Sequence, residues 1–157
     1  MDSQSVKCVV NALVLSRLDY CNSLFVGLPG DLLKRLQHVQ NSAARTILNL
    51  PRREPVRRHL KSLGWLPIPE RTELKVACLT YRCLNGLAPL HLSKLISPYT
   101  PERDLRSAGK NLLKTKPHRL AHYGKRAFSC VAPSIWNSLH DTARLASTLS
   151  SFRSRVQ

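Results

Sequence analysis

Acidic residues are scarce in this chain. Nine Asp and Glu face twenty-five Lys and Arg among 157 residues, a formal net charge of +16. Phosphoryl chemistry run by two metal ions needs carboxylates holding those ions roughly 3.5–4 Å apart. No adjacent pair of acids stands in an apolar setting here, and several of the nine fall at expected helix starts. Glycine is sparse too, at six against ten prolines, so element ends should be many and flexible linkers few. The longest near-apolar run, Val9 to Leu15, is broken by Asn11 and is far too short to span a bilayer. The opening MDSQSVK lacks the basic-then-apolar layout of a secretory signal. Five cysteines at irregular spacing make no secreted disulfide framework. Cys8, Cys78 and Cys83 fall on expected helices and read as buried, reduced thiols, placing the protein in the nucleus or cytoplasm with no membrane partner.

Motifs for independent catalysis are missing as well. There is no Gly-x-Ser-x-Gly, no phosphate loop ending in Gly-Lys-Ser/Thr and no dinucleotide fingerprint. His140 and Asp141 are neighbours, but adjacency is not triad geometry. His118 and His122 lack a third ligand, and Cys130 stands alone. Cys78 and Cys83 diverge by about 140° round a helix. No cofactor, metal or small-molecule substrate is expected.

What is present is helical patterning with a heavy cationic load. Leu63 to Pro89 is the organising stretch: Pro69 suits a first helical turn, Gly86 a left-handed stop, and apolar residues cover most of the circumference between. Arg71, Lys75 and Arg82 share one narrow polar stripe, so this helix should be buried among others. A first helix is expected from Ser3 or Ser5 to Phe25. A second should run from an Asp31 cap to Asn49, with Leu32, Leu36, Val39, Ala43 and Ile47 as its stripe. A short third helix opens at Pro55 and stops at Gly64. Pro89 to Ile96 reads as another short piece, and Thr100 to Pro117 as a long basic loop. Leu112–Lys116 and Arg126–Val131 are expected to form a small hairpin. Pro133 should open a helical turn, and the tail from Ser147 a further helix. The fold class is mainly α: a compact bundle of five to six helices over residues 1–98, with the basic loop, hairpin and C-terminal turns of 99–157 packed on it.

Two cationic clusters stand out. The first is Lys34, Arg35, Arg45, Arg52, Arg53, Arg57, Arg58 and Lys61, opposed only by Glu54. The second is Arg103, Arg106, Lys110, Lys114, Lys116, Arg119, Lys125 and Arg126, opposed only by Asp104. Each is either a phosphate-gripping face or a solvated surface; the size of the net charge favours nucleic acid. Tyr99 and Tyr123 could stack on bases or anchor the basic segment, and Trp65 and Trp136 could be stacking platforms or core.

Five segments resemble one family together and in order. They are SRLDYCNSLFVGLP (Ser16–Pro29), LQHVQNSAARTILNL (Leu36–Leu50), HLKSLGWLPIPER (His59–Arg71), LTYRCLNGLAP (Leu79–Pro89) and YGKRAFSCVAPSIWNSL (Tyr123–Leu139). The series resembles the C-terminal region of reverse transcriptases from LINE-type non-LTR retrotransposons, nearest the Jockey-like branch that includes the chicken-repeat elements. The resemblance implies a segment downstream of the polymerase palm, in the thumb and beyond, that helps hold template RNA and primer DNA. It also implies a piece cut at both ends, without the polymerase carboxylates or endonuclease of an RNA-directed DNA polymerase. The implied partners are the RNA or DNA backbone and an upstream palm. The other expectation is a structural fragment that packs on that palm and has no activity of its own.

Overall fold

A computed structural model describes residues 2–101, 103, 109–118, 120 and 123–156. The chain is mainly helical. Its backbone divides into two units, residues 1–72 and 73–157.

In the first unit, α1 (Ser3–Val10) runs into a π-helical turn (Asn11–Leu15) and then α2 (Ser16–Asp19). The expected single helix to Phe25 therefore stops six residues early. Tyr20 is extended and Cys21 takes a left-handed φ of 51°, which turns the chain into a 3-10 segment (Asn22–Phe25). α3 (Gly30–Leu48) follows. Asp31 is not its cap: Pro29 flanks the helix and Asp31 lies inside the first turn, where its charge still faces the positive end of the helix. α4 (Arg57–Ser62) presents Leu60 to the interior, as does Val56 at its N-cap.

Three helix stops share one construction. The Leu50 N–H reaches the Arg45 carbonyl at 3.1 Å, the Trp65 N–H the Leu60 carbonyl at 2.8 Å, and the Leu87 N–H the Arg82 carbonyl at 2.8 Å. Each closes over a left-handed residue: Asn49 at φ 50°, Gly64 at 71° and Gly86 at 70°. The core of the first unit is one cluster containing Val10, Leu15, Leu18, Ala44, Ile47, Val56, Leu60, Trp65 and Ile68. A buried amide relay crosses it. Gln40 Nε2 donates to the Leu66 carbonyl at 2.8 Å, and the Ile68 N–H donates to Gln37 Oε1 at 2.8 Å. These bonds fix the path from Trp65 into α5 (Ile68–Leu84).

α5 carries Leu74, Val76, Ala77, Tyr81 and Cys83 as buried residues of the second unit. Lys75 and Arg82 are exposed, as the narrow polar stripe requires. α6 is short (Leu90–Ser93). A 3-10 turn (Gly124–Arg126) leads into α7 (Phe128–Ser138), followed by α8 (Asp141–Arg144) and α9 (Leu149–Val156). Tyr81 and Trp136 both stack on Phe152, and the Tyr81 hydroxyl donates to the Ala146 carbonyl at 3.1 Å.

The expected hairpin is replaced by two other arrangements. Residues 128–131 are helical, and Pro133 lies inside α7 instead of opening it. Residues 112–114 pair with the chain beside Pro98: the Tyr99 N–H donates to the Leu112 carbonyl and the Lys114 N–H to the Ser97 carbonyl, both at 2.9 Å. The remaining polar groups of Leu113 are taken by one side chain. Its N–H donates to Asn137 Oδ1 and its carbonyl accepts from Asn137 Nδ2, again at 2.9 Å. An amide projecting from α7 thus does the work that a hairpin partner would have done.

Candidate nucleic-acid interface

The first cationic cluster is built on a turn and a short helix. The Glu54 N–H closes on the Pro51 carbonyl at 3.1 Å, placing Arg52 and Arg53 at the tip of a tight turn. Both are exposed. Because Val56 and Leu60 face the core, Arg57, Arg58 and Lys61 must point outward from α4. Glu54, the acid of this cluster, is engaged elsewhere: its carboxylate meets His59 Nε2 at 2.9 Å, and its carbonyl accepts from Arg45 at 3.2 Å. Among the described residues Arg52, Arg53, Arg58 and Lys61 form no ion pair. Arg57 sits 3.7 Å from Glu70, with side chains 85% and 51% exposed, a contact of little energetic weight.

Arg45 differs from the rest of its group. It is half-buried, bonded to the Glu54 backbone, and its Nε is buried without a partner. It braces the turn that carries Arg52 and Arg53. Lys34 and Arg35 are both exposed on α3.

Lys34 and Arg57 line a common cleft of about 400 Å³ within the first unit. Leu33, Leu60, Pro67 and Pro69 give it apolar walls, and Gln37, Asn41 and Glu70 supply polar groups. The Gln37 amide is committed to Gln40, Asn41 and the Ile68 N–H. Asn41 accepts from Gln37 through Oδ1 at 2.9 Å, which leaves its Nδ2 without a hydrogen bond among the described residues.

The second cluster lies in the second unit. Arg103, Lys114, Lys116, Lys125 and Arg126 are exposed. Lys110 approaches Asp141 at 3.7 Å. Arg106 and Arg119 lie outside the described residues, as do Asp104 and His122. Tyr99 is 41% and Tyr123 79% exposed, whereas Trp65 and Trp136 are buried. The Trp136 indole N–H donates to the Asn111 carbonyl at 2.7 Å, so both tryptophans are core residues and not stacking platforms.

One cation that the sequence did not single out proves structural. Arg144 is 3% exposed at its side chain. It donates to the carbonyls of Lys110 at 2.9 Å, Asn137 at 3.1 Å and Leu139 at 2.6 Å, and pairs with Asp141. A lone Arg three residues after an Asp resembles any exposed helix pair, and nothing local marks it as buried. Among the described residues no three His, Cys, Asp or Glu side chains gather as a metal ion would need. No helix among them is long and apolar enough to cross a membrane.

Compared with protein-family models, curated proteins and solved structures, the chain matches none.

Proposed function

We propose that the chain is a non-catalytic piece of a LINE-type reverse transcriptase, in the nucleus or cytoplasm, that grips the sugar–phosphate backbone of RNA or DNA. In the parent enzyme it would help hold template RNA and primer DNA. The observation that supports this best is the turn of residues 51–54 with α4. It presents Arg52, Arg53, Arg58 and Lys61 outward, with no ion pair among the described residues, while the neighbouring acid is occupied by His59. Cations held on a braced turn at a helix start suit phosphates, which bind through charge with little regard for sequence.

Affinity for random-sequence RNA and duplex DNA, measured across salt, tests this. With about six phosphates engaged, log affinity should fall against log salt with a slope of about −5. Changing Arg52, Arg53, Arg57 and Arg58 to Ala should flatten that slope by about 3 with helicity intact. Undetectable binding at low salt, or an unchanged slope, sinks the reading.

A second reading has its own support. Val9, Leu13, Tyr20 and Leu24 are 46%, 68%, 77% and 68% exposed along the first segment. Apolar surface of this kind suits a fragment that packs on a polymerase palm and has no independent activity. Gel filtration separates the two: aggregation relieved by added palm favours packing, and a stable monomer opposes it.

A further inference from the structure

The cleft on the first unit combines features that backbone gripping alone does not need. Its volume, about 400 Å³, falls within the range of roughly 300–1,000 Å³ typical of small-molecule sites. A phosphate-binding surface needs neither depth nor dry walls. Here Leu33, Leu60 and Pro67 form apolar walls, and two cations, Lys34 and Arg57, stand with them against one carboxylate, Glu70, 3.7 Å from Arg57 in a solvent-exposed pair that a phosphate can displace. The Asn41 Nδ2 is a donor with no hydrogen bond among the described residues, on a side chain that lines the same space. An apolar body, an anionic end and an acceptor on the body's edge are what this set would recognise. A nucleotide has all three.

We propose that the cleft seats one unstacked nucleotide of a single strand. The base lies against Leu33, Leu60 and Pro67, its edge accepts from Asn41 Nδ2, and its phosphate meets Lys34 and Arg57. Arg58 and Lys61, on the same helix as Arg57, continue the cationic path for the adjoining phosphates. A base inside a duplex is stacked and paired and must be extruded first, so the site favours single strands. This inference rests on the nucleic-acid reading above and adds a base-binding subsite to it.

The test uses the full chain and adenosine monophosphate, followed by amide NMR. Binding should shift the Asn41 side-chain amide and the Gly30 backbone amide, because Gly30 also lines the cleft. Gly30→Leu supplies the blocking variant. A Cβ at Gly30 meets nothing within 4 Å, so the backbone has room for a side chain there, and unchanged helicity and thermal unfolding of the variant confirm that the fold is kept. It should weaken adenosine monophosphate and a single-stranded RNA oligomer about tenfold, the scale of burying a small apolar group, while duplex DNA affinity stays the same. Equal weakening of single strand and duplex, or no weakening of either, overturns the proposal. The two readings fail separately. A steep salt slope with no cleft shifts refutes the subsite alone. Cleft shifts without oligomer binding refute the backbone-gripping function and, with it, the seating of a strand's nucleotide.

Discussion

Tyr81 and Phe152 stack with ring centroids 4.8 Å apart and planes 30° from parallel. Phe152 is fully buried, and Trp136 stacks on it as well at 5.6 Å. Phe152→Ala should therefore remove about 3–5 kcal/mol of stability, and Phe152→Leu clearly less, because more of the cavity stays filled. Urea unfolding with both variants checks the order. Equal and small losses would mean that the aromatic cluster is not the centre of the second unit.

Arg144 holds the carbonyls of Asn137 and Leu139, at the end of α7, and of Lys110. Arg144→Ala strips those part-buried carbonyls of their donor and Asp141, 47% exposed, of its partner, at a cost of about 1–3 kcal/mol. Arg144→Lys keeps the charge but lacks the planar fork that serves several acceptors together, so most of the loss should persist. The same variants, studied well below their unfolding transitions, should leave the salt slope of nucleic-acid binding unchanged. A flattened slope would make Arg144 a phosphate ligand.

Arg71 and Asp19 form a two-pronged pair, Arg71 Nη2 donating to Asp19 Oδ2 at 2.7 Å while Nε meets the other oxygen. The side chains are 22% and 40% exposed, so solvent screens the pair and its coupling should be about 1 kcal/mol. A double-mutant cycle with Asp19→Asn and Arg71→Gln measures it. The coupling should shrink in high salt; a coupling that salt does not alter would speak against a screened ion pair.

The five thiols are all free, and their surroundings differ. Cys8 and Cys21 are exposed, which corrects the expectation of buried thiols at Cys8. Burial pushes the Cys78 and Cys83 thiols above the ordinary range, with nearby Arg153, Lys75 and Arg82 pulling Cys78 partly back and a Ser93 hydrogen bond pulling Cys83 back. Iodoacetamide should label Cys8 and Cys21 first and Cys83 slowly, as mass spectrometry would resolve. The linkage has a definite sign. The unfolded chain releases these two protons at lower pH than the folded one, so stability is retained below the ordinary thiol pKa and falls as pH rises through it. Cys78→Ala and Cys83→Ala should each lessen that alkaline fall.

Helices with a one-sided apolar stripe and a left-handed stop were legible in the sequence. α3, Gly64 and Gly86 follow from 3.6-residue periodicity and from the one residue type that takes positive φ at no cost. The exposed cations Arg52, Arg53, Arg58 and Lys61 were legible as charge. What escaped was polar burial. Gln40 and Thr80 are fully buried, and Gln40 is satisfied by a carbonyl twenty-six residues away. Periodicity counts such residues as surface: the partner of Gln40 is distant in sequence, and Thr80 hides its hydroxyl by donating to the Val76 carbonyl one turn back at 2.9 Å. The hairpin expected of Leu112–Lys116 with Arg126–Val131 failed for a related reason: β-branched and aromatic content favours a strand only when a second strand is available, and Leu113 has its polar groups met by Asn137 instead. The cleft of Lys34 and Arg57 was invisible because it joins two helices whose approach no local pattern encodes.

The wide turn at Asn11–Leu15 closes with the Ser16 N–H on the Asn11 carbonyl, five residues back. Val10 and Leu15, both buried, bracket that bulge. In an ordinary helix a step of five would swing them about 140° apart; the looser winding brings both to the interior. The segment therefore carries one surplus residue, absorbed without loss of alignment. Trimming Ala12 would let the winding revert to regular α geometry while Val10 and Leu18 kept their side, whereas trimming one residue inside α3 would rotate half of its stripe into water. Tolerance to length change should thus be concentrated at this one point of the first unit.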